Sequence, residues 1–382
     1  MNVIERMQAN GTEKKISDFI VKQKQPYEFK VAYAATRVNE FIRECGKRDL
    51  NCHVSVGGLD SITLYLFIKS LGYDVPAVSV SSLEDKSIQD IHNQLGIIRL
   101  KPLKSKVDVI KEFGFPILSK EIANKINLLQ NPSENNKTVR HAIITGETGE
   151  YGGNRSGTRM KLSQMWLELF GGYENQSEGV DYLYPDFLVS DKCCYYLKEK
   201  PCDIWAKENK SVPFLGLMAS EGGRRQKSLM INGCNYFGKS TIRSAPFAIF
   251  SRQDLLQLAL DLNVPVPSAY GTIKRDSDGN LYTTKAQRTG CSMCGFGIQK
   301  ERIRPHRFDL LFESNPQEWK FWLETVGFGH VFDYIGFLWR QPYLPCESAW
   351  LSKKAFSEMV QSRHRSDQLS LFDFDSLSAV EK

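Results

Sequence analysis

From about residue 51 the chain alternates short apolar runs with stretches whose apolar positions recur at helical spacing. "CHVSV", "PAVSV" and "GIIRLK" predict strands, and "DSITLYLFIKSLG" and "SIQDIHNQLG" predict the helices between them. A further strand is expected at "VPFLGLM", 212 to 218. Strands that alternate with helices imply a mostly parallel α/β sheet with helices on both faces, joined by right-handed crossovers. Before the first strand, "YEFKVAYAATRVNEFIREC" reads as an amphipathic helix closed near Gly46, and residues 1–26 as a polar leader or short helix.

Farther along, the pattern predicts a helical and loop-rich insertion over 131–210. Its Asn-, Gly- and Thr-rich start, 131–160, is expected to be a lid or substrate loop. Residues 27–273 would then form the α/β domain, 274–345 a C-terminal subdomain and 346–382 a flexible tail. The aromatic run from Trp319 to Trp339 is broken by Lys320, Glu324, His330 and Asp333, so it predicts helical core packing rather than a membrane span.

Composition changes little in this picture. With 382 residues and 41% hydrophobic content, the chain is long enough for one large core or two modest ones. Lys and Arg total 50 against 44 Asp and Glu, and the resulting formal charge of +6 tolerates a polyanionic partner without demanding one. No basic segment followed by an apolar stretch opens the chain, and no long apolar run occurs, which predicts a cytoplasmic protein with no membrane partner. Nine cysteines, including an adjacent pair and a CxxC, suit a metal or redox site better than a secreted disulfide framework.

The chemistry concentrates in three places. Gly57 and Gly58 end the first predicted strand, where a tight turn and the following helix N-terminus turn amide groups toward any bound phosphate. A ligand-free strand-to-helix turn is the plain alternative. In "ASEGGRRQK", Glu221, Arg224, Arg225 and Lys227 are either an oxyanion site or a solvated charge cluster at a strand end. Cys193, Cys194, Cys291 and Cys294 make one set of four thiols, enough for a [4Fe-4S] cluster or a structural zinc ion, against a set of inert core cysteines. Cys234 is expected to be a buried apolar cysteine, and none of the six histidines has ligand spacing.

"SVGGLDS" (55–61) resembles the SGGxDS pyrophosphate loop of the adenine-nucleotide alpha-hydrolase superfamily. From about residue 28 to 345 the chain is similar to the phosphoadenosine-phosphosulfate (PAPS) reductase branch. Further similar stretches are "GFPILSKEIANKI", "SDKCCYYLKEKP", "LMASEGGRRQKSLMINGCN", "QRTGCSMCGFG" and "HVFDYIGF". The resemblance implies phosphate binding by Gly57, Gly58, Asp60 and Ser61, with Asp60 also orienting Mg²⁺. It gives Glu221 and Arg225 the ends of an ESxxR core, in which Gly222 replaces Ser, and Arg224 and Arg225 the role of oxyanion ligands. It assigns the four cysteines a [4Fe-4S] cluster in the C-terminal subdomain.

Val56 stands where the motif has its first Ser, and Leu59 where near relatives carry Lys. The ECGLH motif of assimilatory reductases is absent. An ATP- or PAPS-using sulfurtransferase or oxidoreductase is therefore expected, acting in DNA modification with a sulfur or electron donor protein. PAPS reduction with release of sulfite is the alternative, and a regulatory module that no longer turns over nucleotide is another. Near the C-terminus, Gln368, Leu369, Leu371 and Phe372 form QLSLF, which resembles the peptide that binds the bacterial DNA sliding clamp. The same apolar residues also suit a terminal strand folded back on the domain.

Overall fold

The structure, a computed structural model, describes residues 11–80, 84–147, 160–172 and 182–364. The strands in chain order are β1 (Asn51–Ser55), β2 (Ala77–Ser79), β3 (Ile98–Arg99), β4 (Ile117–Leu118), β5 (Ser211–Leu215), β6 (Asn235–Phe237), β7 (Ile242–Ser244), β8 (Ile273–Arg275), β9 (Leu281–Thr283) and β10 (Gly295–Phe296). The chain divides into two compact units, each made of two stretches: residues up to 103 with 196–292, and 104–195 with the residues from 293 onward. This division differs from the expected contiguous one at 273/274. The hairpin β8–β9 and Cys291 belong to the first unit, and β4 and its following helix to the second.

The first unit is built on a six-stranded sheet in the order β3-β2-β1-β5-β7-β6, parallel except for β6. Side chains alternate across β1, and that alternation places helices on both faces. On one face, Cys52 hydrogen-bonds Cys45 of the helix Tyr27–Gly46, and Phe214 of β5 packs edge-on against Phe41 of the same helix at 4.9 Å. On the other, His53 packs against Trp205 of the helix Lys200–Glu208 and hydrogen-bonds Ser211 at 2.8 Å. Gly46 is the last residue of its helix rather than a left-handed cap. The positive φ falls three residues later at Asp49, after the turn Lys47–Arg48. Part of the expected leader is a helix, Thr12–Gln23, with Phe19 buried in the core.

The second unit has its own apolar core, centred on the aromatic run. Phe328, Phe332 and Phe337 are buried, with ring centroids 5.1–5.8 Å apart between neighbours, so the run is core packing as expected. Two expectations change here. Residues 131–147 are not a loop: Ser133 caps a short turn, and the helix Lys137–Thr145 buries Ala142, Ile143 and Ile144. Part of the expected flexible tail is ordered: a helix runs over 353–364 with Val360 buried and Phe356 and Met359 packed on the core. Apolar residues three and four apart outweigh the polar composition of that stretch. No helix among the described residues is long and apolar enough to cross a membrane. Residues 148–159 of the expected lid and the peptide Gln368, Leu369, Leu371 and Phe372 lie outside the described residues.

Candidate functional site

In the first unit the chain leaves β1 toward β2 and β3 on one side and returns to β5 on the other, so the sheet's switch point lies between β1 and β5. Loops at the carboxyl ends of such a pair splay apart and leave a crevice. A cleft of about 350 Å³ occupies that position, lined by Ser55, Gly58, Asp60, Ser61, Glu221 and Arg225 together with Tyr270, Gln287, Arg288 and Thr289.

The floor is the turn between β1 and the helix Leu59–Ser70. Ser61 braces this turn from within: its Oγ accepts the Gly57 N–H at 2.7 Å and donates to the Gly58 carbonyl at 2.9 Å. The Leu59 N–H donates to the Tyr270 hydroxyl at 3.1 Å, and that hydroxyl also pairs with Thr289 at 2.8 Å. The amides of Gly58 and Asp60 have no acceptor among the described residues, and both residues line the cleft. Gly216, just beyond β5, lets that strand's exit lie against the helix N-terminus; a Cβ there would sit 3.0 Å from the Ser61 backbone.

Charge is arranged around this floor in two layers. Asp60 is ion-paired with Arg252, which also donates to the Gln287 carbonyl at 3.1 Å. Burial pushes the Asp60 carboxyl above its ordinary range, Arg252 opposes that shift, and Glu221 adds to it. The buried side chain of Glu221 follows β5 and pairs with both Arg225 and Arg288, the latter at 3.2 Å. Both guanidinium groups are more than half exposed, so they are held by one carboxylate while open to solvent. Arg224 lies on the same helix, Gly223–Asn232, and its side chain is outside the described residues.

Gly57, Gly58, Asp60, Ser61, Glu221 and Arg225, expected from the sequence, are thus gathered at the mouth of one sheet, with Gly57 in the turn behind the lining. Val56 is different: its side chain is buried in the core and its N–H joins the sheet at the Val78 carbonyl, 2.8 Å away. Ser55, the residue before it, lines the cleft. Sequence reasoning missed Arg252, Tyr270, Arg288, Thr289 and His92. Gln287, Arg288 and Thr289 stand directly before the CxxC, and that adjacency was their available signal. Nothing local marks Arg252 or Tyr270, which reach the turn from 192 and 211 positions away.

The four cysteines fall in both units. Cys193 and Cys194 lie on the short helix Lys192–Cys194 of the second unit, Cys193 buried, and Cys294 of that unit accepts a hydrogen bond at its carbonyl from Arg307 at 3.3 Å. Cys291 belongs to the first unit, where Lys198 hydrogen-bonds it and pairs with Glu84. Burial opposes the charge on Lys198, but Cys291 and Glu84 together outweigh it and hold the ammonium above its ordinary pKa. Four thiols are suitable donors for an iron–sulfur cluster. Among the described residues no three His, Cys, Asp or Glu side chains stand together as a metal site. Cys234 is buried as expected; burial pushes its thiol up to about 11, and Tyr33 opposes the shift by hydrogen bonding.

No protein-family model matches the chain, and no curated protein does.

Proposed function

We propose that the first unit binds the phosphates of an adenine nucleotide, ATP or PAPS, in the cleft between β1 and β5, and that it either activates a substrate with ATP there with loss of pyrophosphate or reduces PAPS to sulfite with two electrons from a thiol donor. The observation that carries this reading is the convergence of two amides without acceptors among the described residues, Gly58 and Asp60, with Arg225 and Arg288 on one cleft at the sheet's switch point. Amides at a helix N-terminus and guanidinium forks are the groups that polyphosphate oxygens bind. Glu221 keeps both Arg side chains in place before the ligand arrives, so less freedom is lost on binding.

With ATP, an acceptor oxygen of the substrate would attack the α-phosphorus, the bond to the β-phosphate oxygen would break, and pyrophosphate would leave against the two arginines. The adenine-nucleotide identity and the sulfur chemistry come from the resemblance of the motifs. In that reading Cys193, Cys194, Cys291 and Cys294 would hold a [4Fe-4S] cluster that supplies electron transfer, Asp60 would hold Mg²⁺ after leaving Arg252, and DNA would be the substrate, approached through a sliding clamp bound at 368–372.

One observation favours a second reading. Ser61 spends its only proton on Gly58 and Asp60 is engaged by Arg252, an arrangement that also suits a module that binds nucleotide without turning it over. Incubating anaerobically purified protein with ATP and Mg²⁺, with and without duplex DNA and sliding clamp, and quantifying AMP and pyrophosphate separates them. Release of both products supports the enzyme. Nucleotide binding without release supports the module, and absence of binding removes the proposal for this cleft.

A further inference from the structure

The turn between β1 and its helix contains three consecutive peptide groups, and Ser61 holds only two of them. Its Oγ takes the Gly57 N–H, which belongs to the 56–57 peptide, and gives its proton to the Gly58 carbonyl, which belongs to the 58–59 peptide. The peptide between them joins two glycines, neither of which has a Cβ to resist rotation of the plane. Its carbonyl is held from behind the cleft by His92, whose Nε2 lies 2.8 Å from the Gly57 oxygen.

His92 is fully buried on the helix Lys86–Gln94, one turn beyond the buried Ile88. A carbonyl oxygen only accepts, so Nε2 carries the proton. Nδ1 is buried with no hydrogen-bond partner among the described residues, so a second proton there would be a buried donor with nothing to receive it. Burial lowers the pKa of His92, the Gly57 carbonyl and Glu84 oppose that, and Arg99 and Lys198 add to it. The ring is therefore the neutral Nε2–H tautomer, a fixed donor.

We infer that His92 is a positioning residue that locks the Gly57–Gly58 peptide with its amide turned toward the anion cleft; this rests on the reading of that cleft as a phosphate site. In a planar trans peptide the carbonyl and N–H point in opposite directions. With the Gly57 oxygen drawn toward His92, the Gly58 N–H points away from it, and Gly58 lines the cleft. A flipped peptide would present a carbonyl oxygen to the phosphate in place of a donor. His92 thus decides the sign of the partial charge that the turn offers its ligand, without touching that ligand.

The test uses the full chain and inorganic pyrophosphate as the probe in isothermal titration calorimetry. His92→Phe is expected to weaken binding by about tenfold or more, the loss of one charge-assisted amide contact, and His92→Gln, whose side-chain amide keeps a donor, to restore most of it. Thermal melts of both variants check the fold. ¹⁵N-histidine NMR of the wild-type chain, with the His92 signals assigned by their absence from the His92→Phe spectrum, is expected to show that ring as the Nε2–H tautomer throughout the neutral pH range. Pyrophosphate binding by His92→Phe equal to wild type, or a wild-type spectrum with no such ring, overturns the inference while leaving the cleft's function standing. A wild-type chain that binds no pyrophosphate refutes the reading of the cleft, and with it the inference.

Discussion

Replacing Gly58 by alanine tests the construction of the turn directly. The backbone there, φ −87° and ψ −162°, accepts any residue, so the substitution carries no conformational penalty of its own. The methyl carbon, however, would lie 2.1 Å from the Tyr270 hydroxyl and 3.1 Å from Thr289 Oγ1. The hydroxyl must move, and it cannot do so without giving up the Leu59 N–H and Thr289 together. Two neutral hydrogen bonds contribute about 0.5–1.5 kcal/mol each, and leaving the buried Leu59 amide unpaired costs about 1–3 kcal/mol. Gly58→Ala is therefore expected to destabilise the first unit by about 2–6 kcal/mol.

Tyr270→Phe loses the same bonds without the clash and should cost about 2–6 kcal/mol as well. In the double variant the nearest ring carbon is 3.3 Å from the new methyl group, a contact that small shifts relieve. Adding Gly58→Ala to Tyr270→Phe should then cost less than about 1 kcal/mol, because the bonds it would break are already gone. Urea denaturation of the four proteins, followed by circular dichroism, reads the coupling. Additive costs, within about 0.5 kcal/mol, would refute the claim that Tyr270 closes the turn through Gly58.

Arg225→Ala and Arg288→Ala should each weaken pyrophosphate binding by about tenfold and flatten its dependence on salt, read by calorimetry over a range of NaCl concentrations. In the second unit, Asp309 is fully buried and receives Arg304 at 3.1 Å, the His306 N–H at 2.9 Å and Gln341 at 2.7 Å. Asp309→Asn removes one of the two carboxylates that pair with the buried Arg304, leaving Glu347 at 3.0 Å, and should cost about 1–3 kcal/mol, measured by chemical denaturation. Burial raises the Asp309 pKa, but Arg304 and His306 outweigh it and hold the folded value below the ordinary carboxylate range. The associated stability is then present above the unfolded pKa and is lost as pH falls from that value through the folded one; the variant should lack this part of the acid transition.

The local patterns of the chain determined a good deal by themselves. Alternation of apolar runs with helical spacing was enough for the parallel α/β sheet and for the placement of β1, β2, β3 and β5, because each element's periodicity is written within its own residues. The glycine pair after β1 identified the turn, since glycine permits the tight backbone path from a strand into a helix. Glu221 and Arg225 were legible for a related reason: four residues apart at a helix start, they can reach each other whatever surrounds them.

Tertiary structure decided the rest, and it did so where the information is a distance between residues remote in sequence. The sheet order brings the loops after β1 and β5 together, and with them Tyr270, Arg252, Arg288 and Thr289, none of which carries a local sign of its neighbour. Burial decided two further points: Val56 is turned inward while Ser55 lines the cleft, and the stretch around 353–364, expected in a flexible tail, is a helix anchored on an apolar face. His92 shows the same limit most plainly. In the sequence it is one polar residue on an amphipathic helix, and only the packing of that helix beneath the turn makes it the donor that holds the Gly57 carbonyl.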